Sequence, residues 1–112
     1  MNEKPANLFK NIPVKLDNEL TDVLFDRKNI RVERIVSMGQ ASPPGFWYDQ
    51  DQGEFVILLK GSAGLLVEGN DQISAMHSGD YLIIPPHVKH RVEWTDPSEQ
   101  TVWLAVFYGD KT

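Results

Sequence analysis

The chain has 112 residues, 41% hydrophobic and 24% charged, which is enough for one domain with a real core and too short for two. Its net charge of −5 argues against a nucleic-acid surface, where Lys and Arg would gather. Cysteine is absent, which excludes disulfides, thiolate metal sites and a Cys nucleophile.

The opening residues, MNEKPANLFK, lack the apolar run of a secretory leader. No stretch approaches the roughly 18 apolar residues of a membrane span, so a cytoplasmic protein is expected. Residues 1–20 read as a polar arm broken by Pro5 and Pro13, with NLFKNIP suited to pair at a sheet edge and LDNELTD to turn. From residue 21 the chain keeps a β rhythm. DVLF and IRVERIVSMG form two strands joined by the polar turn DRKN. In the second, Ile30, Val32, Arg34 and Val36 share one face, and Arg31, Glu33 and Ile35 the other. Alternation does not choose between the faces; if the first points inward, Arg34 would anchor a carboxylate ligand. QASPPG is a loop punctuated by Pro43, Pro44 and Gly45. EFVILLKG is apolar on both faces, as a strand inside a sandwich or barrel would be, with Glu54 at its mouth. GSAGLLVEGNDQISAM is a strand pair around Gly69-Asn70-Asp71. After the Gly79-Asp80 turn come YLIIPP, then VKHRVEW, then TVWLAVFYG beyond the turn TDPSEQ. His77, just before Gly79, is expected to be solvated. Nothing has helical length with helical period, and no repeat is visible, so the fold is an all-β sandwich or barrel.

The same alternation places the candidate site. In VKHRVEW, Val88, His90, Val92 and Trp94 share a face opposite Lys89, Arg91 and Glu93, and the apolar set must face the core. His90 therefore points inward, whereas His87, after Pro85-Pro86, belongs at a rim. An ionised Glu54 at the mouth needs a partner, which His90 or a metal ion would supply. Phe46, Trp47 and Tyr48 would line a mouth for a planar or sugar-like ligand, or else pack or meet a second copy. Asp49, Gln50 and Asp51 are a polar cluster at that mouth, or a solvated loop. No Ser-His-Asp arrangement or phosphate loop is evident.

These residues resemble a cupin, a small double-stranded jelly-roll barrel. The second half of the cupin signature runs Gly, five residues, Pro, a Gly two on, a His three further and an Asn four beyond. Gly79, Pro85 and His90 match it, His87 stands in place of the second Gly, and Trp94 in place of the Asn. The first half ends in a Glu, six residues and a Gly, which Glu54 and Gly61 fit. The resemblance covers roughly residues 30–108 and implies a cupin-type jelly-roll barrel over 21–112, preceded by the N-terminal arm. Metal-binding cupins carry His-x-His three or four residues before the Glu. The corresponding pair here is Tyr48 and Gln50, or Trp47 and Asp49; counting forward from Gly45 gives Asp51 and Gly53 instead.

Two readings of the site follow. In one, His90 and Glu54 hold a divalent ion (Mn, Fe, Ni or Zn) with Asp49 or Asp51 and at most His87 or Gln50 besides, an oxygen-rich set better suited to Mn²⁺ than to copper. In the other, His90 bonds Glu54 or Tyr48 inside a metal-free barrel. Tyr48, Gln50, Trp47, His87 and Trp94 are the candidate ligand-binding residues, and Tyr48 or His87 the candidate acid or base. Three functions are compatible with the resemblance: a metal-dependent oxygenase, isomerase or lyase acting on a small polar metabolite, a ligand-sensing module, and an assembly scaffold. Cupins often dimerise by adding N-terminal strands to a neighbour's sheet. The arm with Leu8, Phe9 and Ile12 is the candidate strand for a homodimer.

Overall fold

The computed structural model describes residues 4–110; the first three residues of the expected arm and the last two of the barrel lie outside this range. Eight strands follow one another: β1 (Leu20–Arg27), β2 (Ile30–Ser37), β3 (Gly53–Lys60), β4 (Ser62–Val67), β5 (Ser74–His77), β6 (Tyr81–Ile84), β7 (His90–Thr95) and β8 (Thr101–Tyr108). They form an antiparallel five-stranded sheet in the order β1-β2-β8-β3-β6 and a three-stranded sheet in the order β5-β4-β7. This is the all-β jelly roll expected. Among the described residues no helix is long and apolar enough to cross a membrane.

The two sheets close over a core of Leu58, Ala63, Met76, Ile84 and Ala105, with Val56, Leu65, Trp103 and Phe107 extending it toward the pocket. In β3 the interior set is Glu54, Val56 and Leu58, while Phe55 on the outer face stacks on Tyr81 at 5.2 Å between ring centroids. The β3–β4 turn depends on Gly61. Its φ is +92°, and a Cβ there would come within 2.4 Å of Thr101 Oγ1, so only glycine fits both the conformation and the space.

In one strand a choice of face left open by the sequence is settled, and in another an expected face is corrected. In β2 the interior residues are Arg31, Glu33 and Ile35, which line the pocket, and Arg34 faces out. Arg34 is nevertheless buried, at 8% exposure. Its guanidinium pairs with Asp22 and donates to the carbonyls of Leu8 (3.1 Å) and Lys10 (2.7 Å) in the arm. It is a fastening, not a ligand anchor. In β7 the pairing with β4 slips by one residue: Gly64 faces Trp94, yet Leu65 faces Val92. Glu93 is the extra residue of this β-bulge, and beyond a bulge the inward–outward alternation inverts. Thr95 is thereby buried, and Trp94 turns outward at 39% exposure, lying over Gly64.

Among the described residues, the arm before Leu20 forms no strand within this chain. Residues Asn7 to Lys10 form a turn closed by Lys10 N–H on Asn7 O at 3.2 Å. Gln40 donates to Leu16 O at 3.0 Å and Gln100 to Pro13 O at 2.7 Å. Side chains of the barrel thus satisfy the arm's backbone carbonyls where no sheet ladder does. Replacing Arg34 by Ala would leave those carbonyls and Asp22 without their donor, so a loss of about 2 kcal/mol is expected. Urea unfolding would show it, and trypsin would cut faster at Lys10 and Lys15. An unchanged cleavage rate would mean that Arg34 does not hold the arm.

Candidate functional site

A pocket of about 270 Å³ opens between the sheets, a volume near nine waters. Val56, Leu65, Trp103 and Phe107 form its apolar floor, and Glu54 and His90 stand in its wall. Glu54 and His90 are buried, at 7% and 5% exposure. His90 Nε2 lies 3.2 Å from Glu54 Oε1, and the Gln50 side-chain amide donates to the same oxygen at 3.0 Å. His90 Nδ1 lies 3.2 Å from Val88 O. Both ring nitrogens thus face acceptors, an arrangement that only the doubly protonated imidazolium satisfies completely. Burial works against that charge, but the contacts with Glu54 and Val88 O outweigh it and raise the His90 pKa above 6.5.

Tyr48 completes this wall. Its backbone forms a two-way bridge with His90, Tyr48 N–H to His90 O at 2.7 Å and His90 N–H to Tyr48 O at 3.1 Å. The two rings stack at 5.3 Å, and Phe46 meets Tyr48 edge-on at 4.9 Å. Burial, then the negative charges of Glu19 and Glu54, push the Tyr48 phenol above its ordinary pKa of 10.0, so near neutral pH it is an uncharged O–H donor.

Arg91 holds the preceding loop from outside, donating to Ser42 O (3.2 Å), Pro43 O (3.1 Å) and Phe46 O (2.8 Å). Trp47 lies on that outer side, 5.9 Å from the Arg91 guanidinium, and is not a pocket residue. Asp49 and Asp51 also turn away from Glu54. They flank His87, whose Nδ1 is 2.8 Å from Asp49 Oδ1 and whose Nε2 is 3.5 Å from Asp51 Oδ1. His87 has a φ of +62°, the left-handed conformation of the glycine it replaces, and its N–H bonds Gln50 O at 2.7 Å. That conformation costs a non-glycine residue roughly 1 kcal/mol, which the Asp49 contact and the backbone bond to Gln50 offset. His87 is exposed at the rim, as is His77 elsewhere on the surface.

The register left open by the sequence is therefore Tyr48-x-Gln50. Tyr48, Gln50, Glu54 and His90 meet in one pocket, while Asp49, Asp51 and Trp47 do not join them, and Trp94 lies on the far side of β7. Among the described residues no three imidazole or carboxylate groups converge to hold a metal ion. The donors that do meet fit one poorly. An uncharged phenol and an amide whose N–H₂ faces Glu54 stand at two positions where a transition metal wants imidazole or carboxylate.

Three charged lining residues were not among the candidates read from the sequence: Glu19, Arg31 and Glu33. Arg31 Nε donates to Glu33 at 2.8 Å and its guanidinium covers Phe107 at 4.6 Å. Glu19, from the end of the arm, stands at the mouth, where the Ser37 hydroxyl donates to it at 3.2 Å. As a residue it is exposed, but desolvation of its carboxyl is the largest influence and raises its pKa; Ser37 opposes this and Glu33 adds to it. The alternation Arg31, Glu33, Ile35 held the signal for two of these three; the arm's return to the mouth held none.

Fold and site together define a jelly-roll barrel with a polar pocket between its sheets. The model of the family described as Cupin domain matches residues 34–107. The chain belongs to the cupin family. Among solved structures, one from Ralstonia eutropha JMP134, provisionally named mannose-6-phosphate isomerase, is 50% identical, covers 95% of this chain and 98% of its own, and superposes with a TM-score of 0.92. A cupin superfamily protein of Desulfitobacterium hafniense DCB-2 is 17% identical over 98% of this chain and 94% of its own, with a TM-score of 0.79. A Streptococcus pyogenes protein of unknown function is 16% identical over 100% and 92%, with a TM-score of 0.77. At those two identities the likeness is one of fold. No curated protein matches the chain.

The raised pKa of His90 makes stability depend on pH. A histidine raised on folding contributes stability that is full below its unfolded value and is lost as pH rises through the folded value. The stability gap between wild type and His90→Gln is therefore expected to be widest at a pH below the ordinary histidine value of 6.5 and smaller at an alkaline pH. Urea unfolding at both pH values measures it; a gap independent of pH would mean that His90 carries no charge in the fold.

Proposed function

We propose that this cupin binds a small polar metabolite in its barrel pocket, held against Glu54 without a transition metal. The observation that carries this reading is the convergence of Tyr48, Gln50, Glu54 and His90 on a cavity with an apolar floor. A buried carboxylate and imidazole are a poor investment for stability alone, because desolvation cancels much of their attraction. Charged groups placed in a cavity are more characteristic of binding or proton transfer.

The name of the Ralstonia relative, 50% identical, supports a second reading as a sugar-phosphate isomerase. Acid–base groups for moving a proton between adjacent carbons are at hand in His90, Glu54 and Tyr48. The phosphate is less well served. A phosphate group would face Glu19, Glu33 and Glu54, and Arg31, the one arginine among the described lining residues, is already paired with Glu33. The binding reading is therefore preferred, and isomerisation of D-mannose 6-phosphate is not expected.

We also propose a homodimer. β1 is an edge strand that exposes Val23, Leu24 and Phe25, and such an edge is covered in stable proteins. A monomer in sedimentation equilibrium at tens of micromolar, roughly the usual working range, would contradict it.

The metal-free reading is tested by composition. Protein purified without a metal-affinity tag, then dialysed against Mn²⁺, Fe²⁺, Ni²⁺ and Zn²⁺, should retain far less than one equivalent of any of them. The double variant Tyr48→His/Gln50→His, which rebuilds three imidazoles around Glu54, should retain about one. Near-stoichiometric metal in the wild type, lost in Glu54→Ala, would replace the proposal with a metalloprotein.

A further inference from the structure

We propose that the pocket selects a small ligand bearing a protonated amine, received by the free oxygen of Glu54 and the carboxylate of Glu19. The inference rests on the small-molecule reading above and assigns the ligand's chemical class.

Glu54 is held through one of its two carboxylate oxygens. Its Oε1 takes both the Gln50 amide and the His90 contact. Its Oε2 meets no donor among the described residues, and it is not sealed from the cavity, since no side-chain oxygen is both buried and unpartnered. Glu54 lines the pocket and is only 7% exposed, so the pocket is the space that leaves this oxygen accessible. That oxygen can only accept, so the ligand must bring a donor.

The charge balance then separates an ammonium from a hydroxyl. Arg31 and Glu33 neutralise one another, and an imidazolium at His90 would neutralise Glu54. Glu19 remains. Among the described residues it has a hydroxyl partner, Ser37, and no cation. The pocket is therefore negative by about one charge with His90 protonated and more so with it neutral. Burial is the main reason that both Glu19 and Tyr48 are raised, and negative neighbours add to it, Glu33 at the carboxyl and Glu19 and Glu54 at the phenol. Trp103 and Tyr48 supply aromatic wall, a favourable surface for a cation. A phosphorylated or carboxylated ligand would enter against this field, and a neutral one would leave Glu19 uncompensated.

The test compares matched ligands that differ in one group: 3-amino-1,2-propanediol, glycerol and glycerol 3-phosphate, then D-mannosamine, D-mannose and D-mannose 6-phosphate. Binding to the full-length protein is read by NMR shifts of the Tyr48 and Trp103 rings at millimolar ligand near neutral pH. In at least one series the amine should bind about tenfold or more tightly than its hydroxyl counterpart, with the phosphate weakest. Glu19→Gln, a mouth residue whose loss should not unfold the barrel, should remove most of that preference, and Glu54→Gln should weaken amine binding further. Equal or tighter binding of the hydroxyl or phosphate compounds would overturn the amine assignment and leave the pocket reading standing. Absence of binding by all six would overturn both.

Discussion

Glu54 is a carboxylate in the wall of a barrel with 7% of its surface exposed, and the polar arrangement around it follows from that placement. A charge so situated must be hydrogen-bonded, paired or neutralised. Here one oxygen is met by Gln50 and His90, and His90 is in turn held by Val88 O and by the backbone bridge to Tyr48. In cupins that bind a metal, an ion would supply the positive charge. This chain supplies an imidazole and an amide, and the phenol of Tyr48 fills the place of a further imidazole. The same frame thus accommodates a different answer to one electrostatic demand.

Two arginines on the outside make that interior possible. Arg34 on β2 fastens the arm, and so positions Glu19 at the pocket mouth. Arg91 on β7 gathers the carbonyls of Ser42, Pro43 and Phe46, and so brings Tyr48 into register with His90. Both act by satisfying loop carbonyls that no strand could pair, which lets irregular backbone pack closely without orphaned acceptors. The pocket is built by strands, but its polar mouth is set by these outer fastenings.

The sequence carried the barrel well because strand alternation and turn residues are local signals. Gly61, Gly79 and Pro85 mark turns, His90 falls on an inward position by simple counting, and Glu54 opens a strand whose two apolar faces put it at a mouth. Three things lay beyond such counting. A single bulge at Glu93 inverted the alternation before Trp94, and a bulge is decided by pairing with β4, not by β7 itself. The two faces of β2 are similarly mixed, apolar with one arginine against Arg31, Glu33 and Ile35. Choosing between them required knowing that the arm covers Arg34. The Trp47–Asp51 register was ambiguous because Tyr, Gln and Asp are all plausible at a mouth; His87 decided it by drawing Asp49 and Asp51 outward.

Both ring nitrogens of His90 face oxygen acceptors, so the charge state of this imidazole decides how Glu54 is held. Two-bond proton–nitrogen NMR of the histidine side chains would read that state in the protein as purified near neutral pH. Protons on both Nδ1 and Nε2 of His90, lost from this signal in a titrating step above the ordinary histidine range, are the predicted result. A bare Nε2 at neutral pH, as in a metal-ligating or simple neutral imidazole, would contradict the account.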